Sequence, residues 1–306
     1  MTSPIEALEA RLSAGETLTL DAGTGTELQA RGVPMHPTVW CGVAHMTHPD
    51  TCRSIHIDYI NAGADIITTN TFSTNRNMMG PAGLGEESVA NTRQAVKLAL
   101  EARSLAGADR PIAVAGSMSH QVPVMRGTDQ RNQRQVPNSQ TARNNFTEMA
   151  DTLASAGVDF IMLEMMSDPD LAILAVEAAE NTGLPVWVGM SCKLDDSREL
   201  VSHARPELPF EPVVKDILDT GGRVAGIMHN HIITVVPALE IIRRNFSGPL
   251  MAYPDSGSFT MPDWVFEEII SPADFAKEAK NWRAAGAQVI GGCCGLSVDH
   301  IHALHG

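Results

Sequence analysis

The sequence predicts one (β/α)8 barrel, a TIM-barrel domain of the α/β class spanning residues 1–306. Three observations carry that expectation. Short apolar, β-branched runs alternate with amphipathic helical stretches about eight times, the pattern of parallel strands joined by crossover helices. Several helical stretches end in one recurring phrase: Asn-Ala-Gly-Ala-Asp at 61–65, Ser-Ala-Gly-Val-Asp at 155–159 and Ala-Ala-Gly-Ala-Gln at 284–288. In each, glycine supplies a left-handed helix cap and the next apolar residues enter a strand. Finally, 306 residues suit a barrel with insertions, and no linker or low-complexity stretch divides them. A doubly wound open sheet shows the same alternation, and the number of units decides for the barrel.

The expected strands are Thr17 to Leu20, Ile66 to Thr69, Ile112 to Ala115, Phe160 to Leu163, Val186 to Gly189, Val224 to Met228, Leu250 to Tyr253 and Gln288 to Ile290. Helical periodicity covers Glu87 to Ala102, Thr141 to Ser155, Asp170 to Glu180, Val213 to Asp219, Val235 to Arg244 and Ala273 to Ala284. The N-terminus, Met1 to Arg11, also reads as helix, with Glu and Arg mixed among its apolar residues. In a barrel the chemistry gathers at the C-terminal ends of the strands. Two segments on that face are long and polar, His120 to Ser139 (with Arg126, Asp129, Arg131 and Arg134) and Pro254 to Ile270. Both are expected to be active-face loops, and loops of that length there often act as lids.

Composition narrows the function classes. Hydrophobic residues make up 43% and charged residues 19%, the balance of a folded globular chain, not a disordered one. The net charge of -14, with scattered Lys and Arg, disfavours a nucleic-acid partner. There is no apolar run of about 18 residues and no basic-then-apolar leader, so a cytoplasmic enzyme is the default expectation. The five cysteines, Cys41, Cys52, Cys192, Cys293 and Cys294, are odd in number with two adjacent. That pattern suits metal binding or catalysis better than a disulfide framework.

The strongest local signal is Gly291-Gly292-Cys293-Cys294-Gly295, placed between the last strand and the last helix. Adjacent cysteines can hold one metal if the backbone turns sharply, which the flanking glycines permit. A catalytic zinc site needs a third protein ligand and an open position. His229, at the end of the sixth strand, is the expected third ligand, with His231 and Cys192 as competitors. Asp21 closes the first strand and opens Asp21-Ala22-Gly23-Thr24-Gly25-Thr26, a turn whose N–H groups suit an oxyanion, with no phosphate-loop ending. Glu164 closes the fourth strand behind an apolar run, where a carboxylate needs a partner. Asp21 and Glu164 for an ammonium, with the amides around Gly23 and Thr24 for a carboxylate, would suit an α-amino acid.

These phrases resemble the homocysteine S-methyltransferase family, which includes betaine- and S-methylmethionine-dependent enzymes. The similarity runs over nearly the whole chain. It rests on Asp21 to Thr26, Gly63 to Phe72, Ala115-Gly116-Ser117, Leu163-Glu164, Tyr253-Pro254-Asp255-Ser256-Gly257 and Gly291 to Gly295 followed by His300-Ile301. The resemblance implies a barrel, a zinc ion as cofactor, homocysteine as methyl acceptor and methionine as product. It also implies zinc held by the cysteine pair and by a third cysteine in a Gly-Val-Asn-Cys phrase. Here that phrase reads Gly226-Ile227-Met228-His229. Asp21 and Glu164 match positions that contact the homocysteine amino group in betaine-dependent members, and Asn70 matches a residue of the active face. The segment His120 to Ser139 matches nothing in the family pattern, so the donor site is expected there.

A neutral thiol is only a few per cent thiolate, so transfer requires a metal that deprotonates the sulfur for attack on an onium methyl, a sulfonium by preference. Trp40, Trp187, Phe72 and Tyr253 are candidates to flank that cation. The rival readings are methylation of another thiol, demethylation of an osmolyte, and a sensor that binds an amino-acid thiol without turnover.

Overall fold

The structure, a computed structural model, describes residues 2–125, 127–128, 130–260 and 265–306. Arg126 and Asp129 of the long polar segment lie outside the described residues. Eight parallel strands form one sheet: β1 Leu18–Thr19, β2 Ile66–Thr68, β3 Ala113–Ser119, β4 Phe160–Met166, β5 Val186–Met190, β6 Val224–His231, β7 Leu250–Asp255 and β8 Ala287–Ile290. Their spatial order is β1-β8-β7-β6-β5-β4-β3-β2. A parallel bridge between Leu20 and Ile66 closes β1 onto β2, so the expected TIM barrel is the fold observed.

The outer helices follow the strands in alternation: α1 Pro4–Ser13, α2 Thr24–Ala30, α3 Pro49–Asn61, α4 Ser88–Ala106, α5 Ser139–Ala156, α6 Pro169–Glu180, α7 Phe210–Leu218, α8 Val235–Asn245, α9 Pro272–Ala284 and α10 Val298–Ala303. The three glycines of the recurring phrase adopt the left-handed conformation, with φ of 112° at Gly63, 99° at Gly157 and 97° at Gly286. Each therefore ends its helix and turns the chain into the next strand. None of the described helices is long and apolar enough to cross a membrane.

Two apolar layers hold the barrel. One lies between strands and helices. The other fills the barrel itself with Leu18, Ile66, Phe160, Met162, Trp187, Met228 and Val289, onto which α1 presses Ile5, Leu8 and Leu12. Helix α1 starts firmly, because Ser3 and Glu6 form a reciprocal capping box and Pro4 occupies the first turn. Its buried face plugs the end of the barrel opposite the catalytic mouth. Full burial of a side chain such as Leu8 contributes about 2 kcal/mol. Trp187 stacks on Phe160 at 4.5 Å between ring centroids inside this layer, so it belongs to the core and cannot flank a substrate cation.

At the mouth the structure departs from the expected boundaries. Strand β3 continues to Ser119 and β6 to His231, which places His229 within a strand, not beyond one. The segment 254–270 is not a plain loop: it contains a hairpin pairing Ser258–Thr260 with Val265–Glu267. The segment 120–139 contains an antiparallel bridge between Val124 and Arg131 and a short 3-10 turn at Gln133–Gln135. Cys192 begins a second small hairpin, Cys192–Leu194 with Leu200–Ser202.

Strand β6 approaches β7 closely because Gly226 has no side chain. A Cβ at that position would stand 2.1 Å from the Met251 carbonyl oxygen, which the ladder holds in place. Gly226→Ala is expected to destabilise the fold by about 3 kcal/mol, as an overpacked rigid site does. Gly32 has φ of +80° and nothing within 4 Å of an added Cβ, so Gly32→Ala should cost only about 1–2 kcal/mol of backbone strain. Denaturant titration of the two variants checks the difference, and equal losses would refute the packing argument.

Candidate metal centre

The loop after β8 is pressed between the ends of β1 and β7. The Gly292 amide donates to the Asp21 carbonyl at 3.1 Å, the Cys293 amide to the Pro254 carbonyl at 2.8 Å, and the Ser256 amide to the Cys294 carbonyl at 2.9 Å. Gly291 is needed for this, since a Cβ there would meet the Asp21 carbonyl oxygen at 2.5 Å. The same holds for Gly23, whose Cβ would stand 2.5 Å from the Cys293 carbonyl oxygen. Both thiols are thereby fixed side by side, with Sγ atoms 3.9 Å apart.

His229 and Glu164 reach this pair from strands that break register at the required residue. The β4–β5 ladder shifts between Leu163 and Met166, and the β6–β7 ladder between Met228 and His231. Met165 and His229 carry φ of 60° and 54°. Such irregularities re-aim a side chain at the price of backbone strain. His229 Nε2 lies 2.9 Å from Glu164 Oε2 and 3.7 Å from Cys293 Sγ. Its Nδ1 lies 3.8 Å from Asp255 Oδ1, and Asp255 Oδ1 also accepts the Cys294 amide at 2.9 Å. Phe72 covers the imidazole, ring centroids 5.1 Å apart.

One ligand atom each from His229, Asp255, Cys293 and Cys294 lie within 4.8 Å of one another. Tetrahedral zinc, with Zn–S near 2.3 Å and Zn–N near 2.0–2.1 Å, sets S···S separations of about 3.8 Å and S···N separations of about 3.6 Å. The observed 3.9 Å and 3.7 Å match both, so the donor set fits zinc in kind and in spacing. Asp255 is the member that sequence reasoning missed. It stood in a quoted motif, but only the fold brings the end of β7 beside the cysteine loop.

The competitors for the third position are placed elsewhere. The His231 ring accepts the Ile233 amide at 3.3 Å as a helix cap. Cys192 is buried, receives Asn230 Nδ2 on its sulfur at 2.8 Å, and burial pushes its thiol up to about 12. Asn70 is buried behind the site, where it donates to the Cys41 carbonyl at 2.9 Å and accepts from Cys41 Sγ at 3.2 Å. Asp21 is fully buried. Its carboxylate accepts the Thr68 amide at 2.6 Å, the Thr68 hydroxyl at 3.0 Å and the Tyr253 hydroxyl at 3.3 Å. Burial outweighs these bonds and, with the charge of Glu164 nearby, raises the Asp21 pKa to about 8. Tyr253 is thus committed to Asp21. Among the four aromatic candidates, Phe72 stands against the cluster and Trp40 packs its ring over Gly25. Thr24 opens α2 directly after Gly23.

A closed eight-stranded parallel barrel with a histidine, two cysteines and an aspartate gathered at its C-terminal mouth defines a (β/α)8 barrel built around a thiol-rich cluster. The chain belongs to the homocysteine S-methyltransferase family, whose sequence pattern matches residues 18–306. It is 28% identical to homocysteine S-methyltransferase 2 of Zea mays over 96% of this chain and 90% of that protein. It is 25% identical to a selenocysteine methyltransferase of Astragalus bisulcatus over 95% and 92% of the two chains. The metallated form of the homocysteine methyltransferase MmuM from Escherichia coli superposes with a TM-score of 0.76 at 26% identity, covering 99% of each chain.

The thiols titrate unequally. The hydrogen bond with Cys294, then burial, raises the Cys293 pKa well above the usual thiol range. That same bond and His229 lower the pKa of Cys294 despite burial. Burial pulls His229 down, but Cys294, Glu164 and Asp255 outweigh it and hold the imidazole charged well above its ordinary range. A lowered thiol pKa means more thiolate at neutral pH. In chelator-treated protein at pH 7, iodoacetamide should therefore alkylate Cys294 several-fold faster than Cys293, and His229→Gln should slow the Cys294 reaction. Peptide mass spectrometry reads the site, and faster labelling of Cys293 would reverse the assignment.

Proposed function

We propose that this chain transfers a methyl group from an onium donor, preferentially a sulfonium, to homocysteine with zinc held by His229, Cys293 and Cys294. The observation that carries the reading is the gathering of these donors at the barrel mouth, with S···S and S···N separations of 3.9 Å and 3.7 Å. Held there, zinc would lower the pKa of a bound thiol and so make a thiolate available at neutral pH. The protein's own groups do the rest. Glu164 lies 2.9 Å from His229 Nε2, the nitrogen that would bind the metal, so with zinc in place its carboxylate would be free for the amino acid, together with Asp21, Gly23, Thr24 and Asn70. The charge of Glu164 raises the pKa of Asp21, and an ammonium placed between the two carboxylates would relieve that repulsion. Phe72 against His229 keeps water from one side of the cluster, and a drier site favours charge-neutralising transfer.

The histidine sets the balance of the donor set. Two thiolates and a neutral imidazole offset a divalent charge, whereas three thiolates would leave a net negative site. A less electron-rich site deprotonates an incoming thiol more readily but leaves its sulfur less nucleophilic. A donor with a good leaving group compensates, which favours a sulfonium over a quaternary ammonium such as betaine.

X-ray absorption at the zinc edge should find about one zinc per chain with two sulfurs, one imidazole nitrogen and a lighter exchangeable ligand. Three protein sulfurs, or no zinc at all, would remove His229 from the proposed role. With methionine as readout, sulfonium donors should outperform betaine, and good use of betaine alone would sink the donor assignment. Glu164→Gln should raise KM for homocysteine roughly ten-fold, the loss of a charge-assisted hydrogen bond, and affect 4-mercaptobutanoate much less. Equal effects on the two acceptors would mean that Glu164 does not read the amine.

A further inference from the structure

A second polar cluster stands at the mouth of the barrel, and the metal centre does not use it. It lies where β3 and β4 end, around Asp168, four residues beyond Glu164. Arg131, from the segment between β3 and α5, places Nη1 2.7 Å from Asp168 Oδ2, and the two side chains are only 8% and 7% exposed. Arg205 Nη1 also approaches Asp168 Oδ1, at 3.6 Å, while bonding outward to Asp170 and Glu207. His120 Nε2 accepts the amides of Ser167 at 2.8 Å and Asp168 at 3.2 Å.

What sets the cluster apart is a surplus of buried donors. Arg131 Nε and Nη2, His120 Nδ1 and Ser167 Oγ are buried without a hydrogen-bond partner among the described residues. Burial, with the positive charge of Arg131 beside it, lowers the His120 pKa to about 4, so the ring is neutral at pH 7. Because Nε2 accepts, the single ring proton sits on Nδ1, which makes that atom a donor. In Arg131 the Nη1 group is spent on Asp168, and the unspent Nε and Nη2 share one edge of the guanidinium. Those two N–H groups are parallel and match the two oxygens of a carboxylate. Every unpaired group in the cluster is a donor or, for the Ser167 hydroxyl, able to be one. Buried donors left unmade cost free energy, and an oxyanion is the ligand that removes the cost.

We propose that the Nε/Nη2 edge of Arg131, with His120 Nδ1 and Ser167 Oγ, is a subsite for the carboxylate of the methyl donor. The proposal rests on the methyl-transfer reading above and names the side chains of this chain that read the donor's carboxylate. It gives a physical role to a segment that lies outside the family phrases recognised in the sequence. It also explains why a buried arginine is tied to only one buried carboxylate through one of its nitrogens.

Isothermal titration with S-methylmethionine and with its carboxamide, which keeps the sulfonium and the amine but not the anionic group, tests the subsite without turnover. The wild-type protein should prefer the acid by about ten- to a hundred-fold, the worth of charge-assisted hydrogen bonds. Arg131→Lys keeps a cation for Asp168 but lacks the side-on pair of donors, and Arg131→Gln removes the charge as well. Both should bring the preference down to roughly three-fold or less. A loosened segment would weaken both ligands alike and leave the preference intact, and that result would overturn the proposal. So would a preference that moves with Arg131 on the acceptor side, homocysteine against 3-aminopropanethiol. Absence of methionine formation with every donor would count against the methyl-transfer reading, whereas the titration still decides the subsite.

Discussion

Charge withdrawn from water must be paired, and at this barrel mouth the pairing of Glu164 with His229 at 2.9 Å is the contact on which the other arrangements depend. A carboxylate 5% exposed at the end of an apolar strand is costly without a partner. The imidazole supplies one, and in turn is oriented so that Nε2 faces Cys293 and Nδ1 faces Asp255. Asp255 then fixes the Cys294 amide, and the cysteine loop is locked against the β1 end through the Asp21 carbonyl. Removing one partner would strand a buried charge and release the ring from its aim. The cluster is therefore a closed circuit of contacts drawn from β4, β6, β7 and β8, and the curvature of the barrel brings those four C-terminal ends around one mouth.

Much of this was legible in the chain. The strand and helix order followed from periodicity because each strand is short, apolar and bounded by a turn, as at Ile66 and Val186. The cysteine pair was legible because only glycine permits the approaches at Gly291 and Gly23. His229 was singled out as a residue closing a strand, whereas the strand runs on to His231, and the other contacts made by His231 and Cys192 are visible only in the folded chain.

What the sequence did not disclose is of a different physical kind. The register shifts at Met165 and His229 have no local signature, and both residues lie just beyond the runs, Phe160 to Leu163 and Val224 to Met228, that read as strand. Asp255 joins the cluster through spatial adjacency of β7 and β8. The bonds that Asp21 accepts from Thr68 and Tyr253 were equally hidden, because an acid after a strand looks the same in sequence whether or not it also ties two strands together.

The strained residues mark where function overrides local preference. Met165 and His229 both take φ near +60°, a conformation that costs a side-chain-bearing residue about 1–2 kcal/mol. They adjoin or constitute the two members of the central ion pair, on different strands, and no glycine relieves either. Regular continuation of either strand would remove the local irregularity that re-aims its side chains at the mouth. The strain is held because the pair and the thiols around it are stabilised only in this geometry. The same logic separates the two polar clusters at the mouth. Around His229 the strong groups are paired with one another, as suits a preorganised metal centre. Around Asp168, among the described residues, the buried donors outnumber their acceptors, as suits a place completed by a ligand.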